Sequence, residues 1–310
     1  MNFTQKLLDP SQPVTLFEMV PPPADKPGAL DGAIAEAAKV CGLADAINLP
    51  EIHDEKRGEQ RTAQFVRRVE PRTLGVRIRG ELGIDVILNR CVVYDLDPVR
   101  WFRQVSQEDD IHHAVLVGGE SSQIKYPGSN VLEVSAQVTE AGLNMTLGGI
   151  SIPSRTHEAE RVRRKAAAGL SFFTTQVLFD SNDIVWLIQR LNGLEARIFL
   201  SFAPVSHPRD LEFLRWLGAD IPADLDQYLL QGPPSVSPSA AGQSYLERSL
   251  DLCQRILMDV FDNLPPDPPP IGLNIEHINK RNFSHAIQML KKLGGLYTHL
   301  VSARARASLA

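Results

Sequence analysis

The sequence predicts an α/β fold, a (β/α)8 TIM barrel with extra helices between strands 7 and 8. Three observations point there. Strand-like apolar runs alternate with helical patterns along all 310 residues, which implies a parallel sheet. The strand-like runs number eight, the barrel count, in a length normal for that fold. No GxGxxG stands between a strand and a helix, so the runner-up, an open doubly wound sheet, lacks a dinucleotide fingerprint. Residues 1–310 read as a single barrel domain, with no internal repeat or low-complexity tail.

Each element has a local reason. Residues 14–20 form a mostly apolar run with one carboxylate, Glu18, and are ended by Pro21, Pro22 and Pro23. Such a run suits a strand covered on both faces. Residues 29–40 are Ala-rich with helical spacing, and residues 44–49 form a short strand stopped by Pro50. A basic amphipathic helix is expected over 61–69, and a third strand over 84–93. Asp97 as N-cap and Pro98 at the first position open a helix that runs to Gln107. The fourth strand, 113–117, runs into Gly118, Gly119 and Glu120. Asn130 caps the next helix and Gly142 stops it. A fifth strand (144–151), a strongly basic helix (156–168) and a sixth strand (172–179) follow. Ser181 is expected to cap a helix over 183–191, before a seventh strand over 197–203. Helices at 208–217, 223–230 and 243–261 decorate the barrel before the eighth strand (271–278) and the last helix (283–293).

Composition narrows the function classes. Lys+Arg 32 against Asp+Glu 37 gives a net charge of −5, so a phosphate-backbone partner is not expected. Cys41, Cys91 and Cys253 lie far apart with no CxxC, which argues against a disulfide framework or a cysteine zinc site and suits a reducing compartment. His112 and His113 are adjacent on a strand, so their rings point to opposite faces, a poor spacing for metal ligands. The first nine residues lack the apolar core of a signal peptide, and no run approaches a membrane span. The expectation is a cytoplasmic protein without metal, membrane or nucleic-acid partner. A homo-oligomer is left open.

In a barrel the chemistry gathers at the C-terminal ends of the strands. Polar residues and glycines recur there: Glu18, Asn48, Asn89 with Arg90, Gly118 with Gly119 and Glu120, Gly148 with Gly149, Gln176, Ser201, and Glu276 with His277. A packing-only barrel would place Val and Ile at these positions. An ionised carboxylate on so apolar a strand as the first is costly unless paired. Glu18 is therefore either paired within the core or a proton donor facing a pocket. Both glycine pairs are expected to end strands, as tight turns or as backbone edges laid against a flat or phosphorylated group. Arg161, Arg164 and Lys165 share one helix face, either as a solvated surface paired with Glu158 and Glu160 or as a diphosphate site.

These residues resemble a known family. Phe17-Glu-Met-Val-Pro-Pro22 is similar to the first-strand signature of methylenetetrahydrofolate reductases. Val117-Gly-Gly-Glu120 stands where that family has Leu-Arg-Gly-Asp, and residues 163–180 resemble its Lys-Arg-Lys…Thr-Gln…Phe-Asp segment. Ala203-Pro-Val-Ser206 and the stretch from Asn279-Lys280 to Ile287 match weaker parts. The resemblance implies an FAD-binding barrel that reduces 5,10-methylenetetrahydrofolate to 5-methyltetrahydrofolate, with NADH or NADPH as donor. It implies Glu18 as general acid and Glu120 beside flavin and pterin. It also implies Gln176, Phe179 and Lys280 at the folate. Asn48, Asn89, Gly118, Gly119, Gly149, His157, Arg161, Arg164 and Lys165 fall on the cofactor side. There are departures: Glu120 replaces an Asp, Gly118 and Lys280 each replace an Arg, Ile152 replaces a Tyr, Glu276 falls near another Tyr, and Leu88 falls near a His. The rivals are a folate-dependent methyltransferase barrel, which would need a methyl-acceptor site such as a zinc or corrinoid pocket, and a non-catalytic flavin- or pterin-binding subunit.

Overall fold

A computed structural model describes residues 1–54, 64–119, 124–230 and 238–307. Eight parallel strands pair in chain order and close into a barrel: β1 (Thr15–Met19), β2 (Ala46–Leu49), β3 (Asp85–Cys91), β4 (His113–Val117), β5 (Thr146–Ser151), β6 (Leu170–Val177), β7 (Arg197–Phe202) and β8 (Ile271–His277). The helices in order are α1 (Phe3–Leu8), α2 (Ala29–Ala37), α3 (Pro71–Leu82), α4 (Pro98–Gln107), α5 (Val131–Glu140), α6 (Glu158–Ala167), α7 (Asn182–Arg190), α8 (Pro208–Trp216), α9 (Ala223–Leu230), α10 (Pro238–Asp262) and α11 (Phe283–Ala307). The (β/α)8 barrel is as expected, with α8, α9 and α10 between β7 and β8.

Strand alternation divides the core in two. Phe17, Met19, Ile47, Leu49, Val86 and Leu88 point outward and pack under the helices. Leu16, Ala46, Ile87, Val115, Phe172 and Phe199 point inward and fill the lower barrel. Two of these rings need facing glycines. A Cβ at Gly148 would collide with Phe172, and one at Gly272 with Phe199. The floor is therefore tiled large against small.

Below it lies α1, which the sequence reading did not identify. Its signal was present: Asn2 and Gln5 form a capping box. Phe3 and Leu7 join the inner apolar cluster. Arg197, buried at the start of β7, ties this helix down. Its Nε donates to Leu7 O at 2.9 Å and its Nη2 to Asp9 O at 2.6 Å, while Nη1 donates to Ile271 O at 2.8 Å.

Several expectations are corrected. Of the helix expected over 61–69, residues 61–63 lie outside the described residues and 64–69 are not helical, with Arg68 in an antiparallel bridge with Pro23. The helix is α3, opened by Pro71 at its first turn and closed by Gly83 at φ 68°. Gly148 and Gly149 lie within β5 rather than at its end; a Cβ at Gly149 would meet Leu170 Cδ2 at 2.8 Å. Ser181 occupies the N-cap of α7 but makes no capping bond, because its hydroxyl donates to Asp259 at 2.8 Å. Asp97 and Asn130 cap α4 and α5 as expected.

Candidate active site at the barrel mouth

The inward faces change character one step above the apolar floor. Glu18, two residues after Leu16, points inward, as do Asn48, Asn89, Thr174, Ser201 and Asn274 by the same two-residue period. Gln176 and Glu276 are one step higher and half-buried. Barrel closure sets Glu276, Glu18 and Asn48 side by side across β8, β1 and β2.

This row is polar and hydrogen-bonded. Asn48 Nδ2 donates to Glu18 Oε2 at 2.8 Å, and Asn274 Nδ2 donates to Ser201 Oγ at 3.0 Å. Burial pushes the Glu18 carboxyl up to about 7, against the pull of hydrogen bonds from Asn48 and Asn274. Burial and then the nearby Glu18 charge push Glu276 well above the usual carboxylate range, opposed by a hydrogen bond from Ser201. The amide oxygens of Asn48, Asn89 and Asn274 are buried without a hydrogen-bond partner.

Gln176 faces the mouth from β6. Its Nε2 donates to Leu217 O at 3.0 Å and its Oε1 accepts from Val177 N at 2.9 Å, which fixes the side chain. Phe179, just past β6, is buried in the outer core, and Lys280 is exposed on the turn after β8. Glu120 lies outside the described residues, whereas Gly118 and Gly119 are exposed at the end of β4. The Tyr126 ring fills the space of a Gly119 Cβ.

The basic helix differs from expectation. Arg161 and Arg164 are exposed, but Lys165 turns inward and donates to Ile150 O at 2.7 Å. Burial holds its ammonium below the usual lysine range. The patch is thus two arginines rather than three cations. Glu158 is not part of a solvated face: it is buried and accepts from Ile152 N at 3.0 Å. His157, with φ 60°, stands before the helix, exposed and paired to Glu160 at 2.9 Å.

The structure also assembles what the sequence did not suggest. Among the described residues, Glu51, His53 and Cys91 bring possible ligand atoms within 4.8 Å of one another, so a cysteine–histidine group does exist. It is scattered over two segments, which hid it. Glu51 is already engaged: Oε1 accepts from Arg90 Nη1 at 2.9 Å and Oε2 from Cys91 N at 2.6 Å. A guanidinium so close supplies the positive charge that a cation would bring. Glu51, through the Arg90 guanidinium and the Cys91 amide, ties the loop after β2 to the end of β3. The adjacent histidines lie apart from the mouth. His113 is hydrogen-bonded to Thr4 at 2.8 Å, and His112 to Asn144 O at 3.0 Å.

Fold and site together define a (β/α)8 barrel with an acidic, amide-lined mouth. Among solved structures it is similar to a protein from Clostridium thermocellum that binds two copies of 5-methyl-5,6,7,8-tetrahydrofolic acid. That likeness has a TM-score of 0.73 and 21% identity, over 94% of this chain and 99% of the other. A 2,3-dimethylmalate lyase of the PEP mutase/isocitrate lyase superfamily is similar over 64% of this chain and 69% of its own, with 13% identity and a TM-score of 0.45. No protein-family model and no curated protein sequence matches the chain. No helix among the described residues is long and apolar enough to cross a membrane.

Proposed function

We propose that this chain binds a reduced folate in the barrel mouth and interconverts 5,10-methylenetetrahydrofolate and 5-methyltetrahydrofolate, with FAD as hydride carrier. The observation that carries the reading is Glu18, an inward carboxyl raised to about 7 at the C-terminal end of β1. An acid is most useful when it titrates near the working pH. Support for the folate comes from the likeness to a barrel that binds 5-methyltetrahydrofolate, an analogy at the level of the fold.

The residues present fit a flavin nucleotide. The exposed Arg161 and Arg164 would hold its diphosphate, and Gly118 offers exposed backbone at the end of β4. The partnerless Asn89 Oδ1 is an acceptor suited to a ring N–H. FAD, when bound, supplies a hydride for the one-carbon unit, and a reduced nicotinamide would restore it. The chain's own part is proton management and orientation. Glu18 donates its proton to the folate nitrogen released when the methylene bridge opens. Asn48 holds Oε2 of that carboxyl, which aims the other oxygen. Gln176, fixed by Leu217 O, would orient the pterin edge. Glu120 and Lys280 are proposed at the pterin and the folate tail.

The absorption spectrum of the purified protein tests this. A yellow protein that bleaches with reductant and recolours with methylenetetrahydrofolate is the expected result. A colourless protein that still interconverts the folates would remove FAD, and failure to bind either folate would overturn the reading. Among the described residues, the group a zinc-dependent methyltransferase could build on is Glu51, His53 and Cys91, where Arg90 already pairs with the carboxylate.

A further inference from the structure

Resting on that reading and deepening it, we propose that Glu276 is the proton-holding partner of Glu18: the two carboxyls share a proton in the mouth, and Glu276 keeps an acid there above neutral pH. The geometry starts with register. Glu18 pairs directly with Glu276 across the β1–β8 seam, and both side chains lie on the inward face. Neighbouring strands are about 4.8 Å apart, so the two carboxyls are lateral neighbours, and the Glu18 charge acts on Glu276.

Hydrogen-bond accounting gives a second, independent argument. The row holds Asn48, Asn274 and Ser201 around the pair. The buried Asn48 Oδ1 and Asn274 Oδ1 lack donors. Two ionised carboxylates would add only acceptors to a row already short of donors. Carboxyl O–H groups supply what is missing, and buried polar atoms are as a rule satisfied. Charge points the same way. Asn48 from β2 and Asn274 from β8 act on Glu18, and Glu18 and Ser201 from β7 act on Glu276; no cation is among them. Of the described rim cations, Arg68 acts on His277, and Lys280 is exposed. Adjacent like charges without a counter-ion do not both ionise readily.

Such a pair loses its protons in two macroscopic steps. Glu18 is raised to about 7 and Glu276 well above the usual carboxylate range, and their mutual repulsion sets the second step above the first. Between the two steps the pair holds one proton, which Glu18 can draw on for donation to the folate nitrogen, and solvent water reprotonates the pair after each turnover. Without Glu276, Glu18 would be spent above the first step.

Carbon-13 NMR of the ligand-free protein, labelled at the glutamate carboxyls, reads the pair without any folate. The wild type should show one step near 7 and one clearly higher. Glu276→Gln should leave a single step, and Glu18→Gln should lower the Glu276 midpoint by at least one pH unit. Glu276→Asp, which keeps a carboxyl, should restore two steps. Both glutamates titrating near 4.5, or a Glu276 midpoint indifferent to Glu18→Gln, would overturn the shared proton. A failed folate assay would leave these titrations untouched. In turnover, Glu276→Gln should move the alkaline limb down by at least one pH unit, toward 7; a limb that stays in place would refute its role.

Discussion

Asn48 Nδ2 lies 2.8 Å from Glu18 Oε2, across a registered pair of β1 and β2. The bond does two things. It fixes the direction of the carboxyl, and it moderates a burial effect that would otherwise push the acid higher still. Glu18→Gln keeps the size and most of the bonding of this side chain but cannot donate an acidic proton. Turnover in the reductive direction should fall by about 10²–10⁴-fold, the usual worth of a general acid. Folate affinity should change little. In the wild type the reductive rate should decline at high pH, as the acid form is lost. Near-normal turnover of the variant in stopped-flow assays would remove Glu18 from the chemistry.

The same carboxyl should leave a mark on stability. Its folded value, about 7, lies above the unfolded value of 4.5, so the folded chain binds the extra proton between them. That contribution is fully present below 4.5 and is lost as pH rises through 7. It amounts to on the order of 3 kcal/mol. Burial lowers His113 and His277 to about 4, so their effect runs the other way, with stability lost as pH falls from 6.5 toward 4. The difference between wild type and Glu18→Gln in urea unfolding reads the carboxyl together with its coupling to Glu276. The variant should gain relative stability steadily from pH 4.5 to 7.5, and a flat difference would show that Glu18 is ionised throughout.

The tiled floor makes a packing prediction. Gly272→Ala places a methyl against the Phe199 ring. Overpacking of this kind costs about 1–3 kcal/mol. Phe199→Leu in the same chain should recover part of the loss. Equal destabilisation with and without the second change would mean that the ring is not the obstacle.

Arg197 predicts a larger effect. Its guanidinium is buried and serves backbone carbonyls of α1 and β8. Arg197→Leu orphans those carbonyls and should cost about 3–5 kcal/mol, in the range for breaking a buried charged group's bonds. Hydrogen exchange should show α1 losing protection first. Uniform protection loss would mean that Arg197 holds the whole barrel and not the helix beneath it.

What the sequence by itself determined is what short-range periodicity carries. Eight strand-like runs of the right length, separated by helical patterns, specify a closed parallel barrel. A two-residue alternation puts Glu18, Asn48, Asn89, Gln176 and Glu276 on strands near their C-terminal ends. Terminal signals were legible where a side chain has no competing partner, as at Asp97 and Asn130. They misled where one existed, as at Ser181, whose hydroxyl prefers Asp259. Periodicity also failed over 61–82, where cationic residues looked amphipathic before Pro71 while the helix begins after it.

Only the tertiary structure decided which residues meet. Glu276 stands beside Glu18 because the last strand hydrogen-bonds to the first, a contact between opposite ends of the chain that no local pattern encodes. The tertiary fold likewise brought Cys91 to Glu51 and His53, and Arg197 to the N-terminal helix. Burial turned Lys165 away from Arg161 and Arg164 on the same helix. The reason is physical: propensity and alternation act over a few residues, whereas register around a closed sheet is set by all eight strands together.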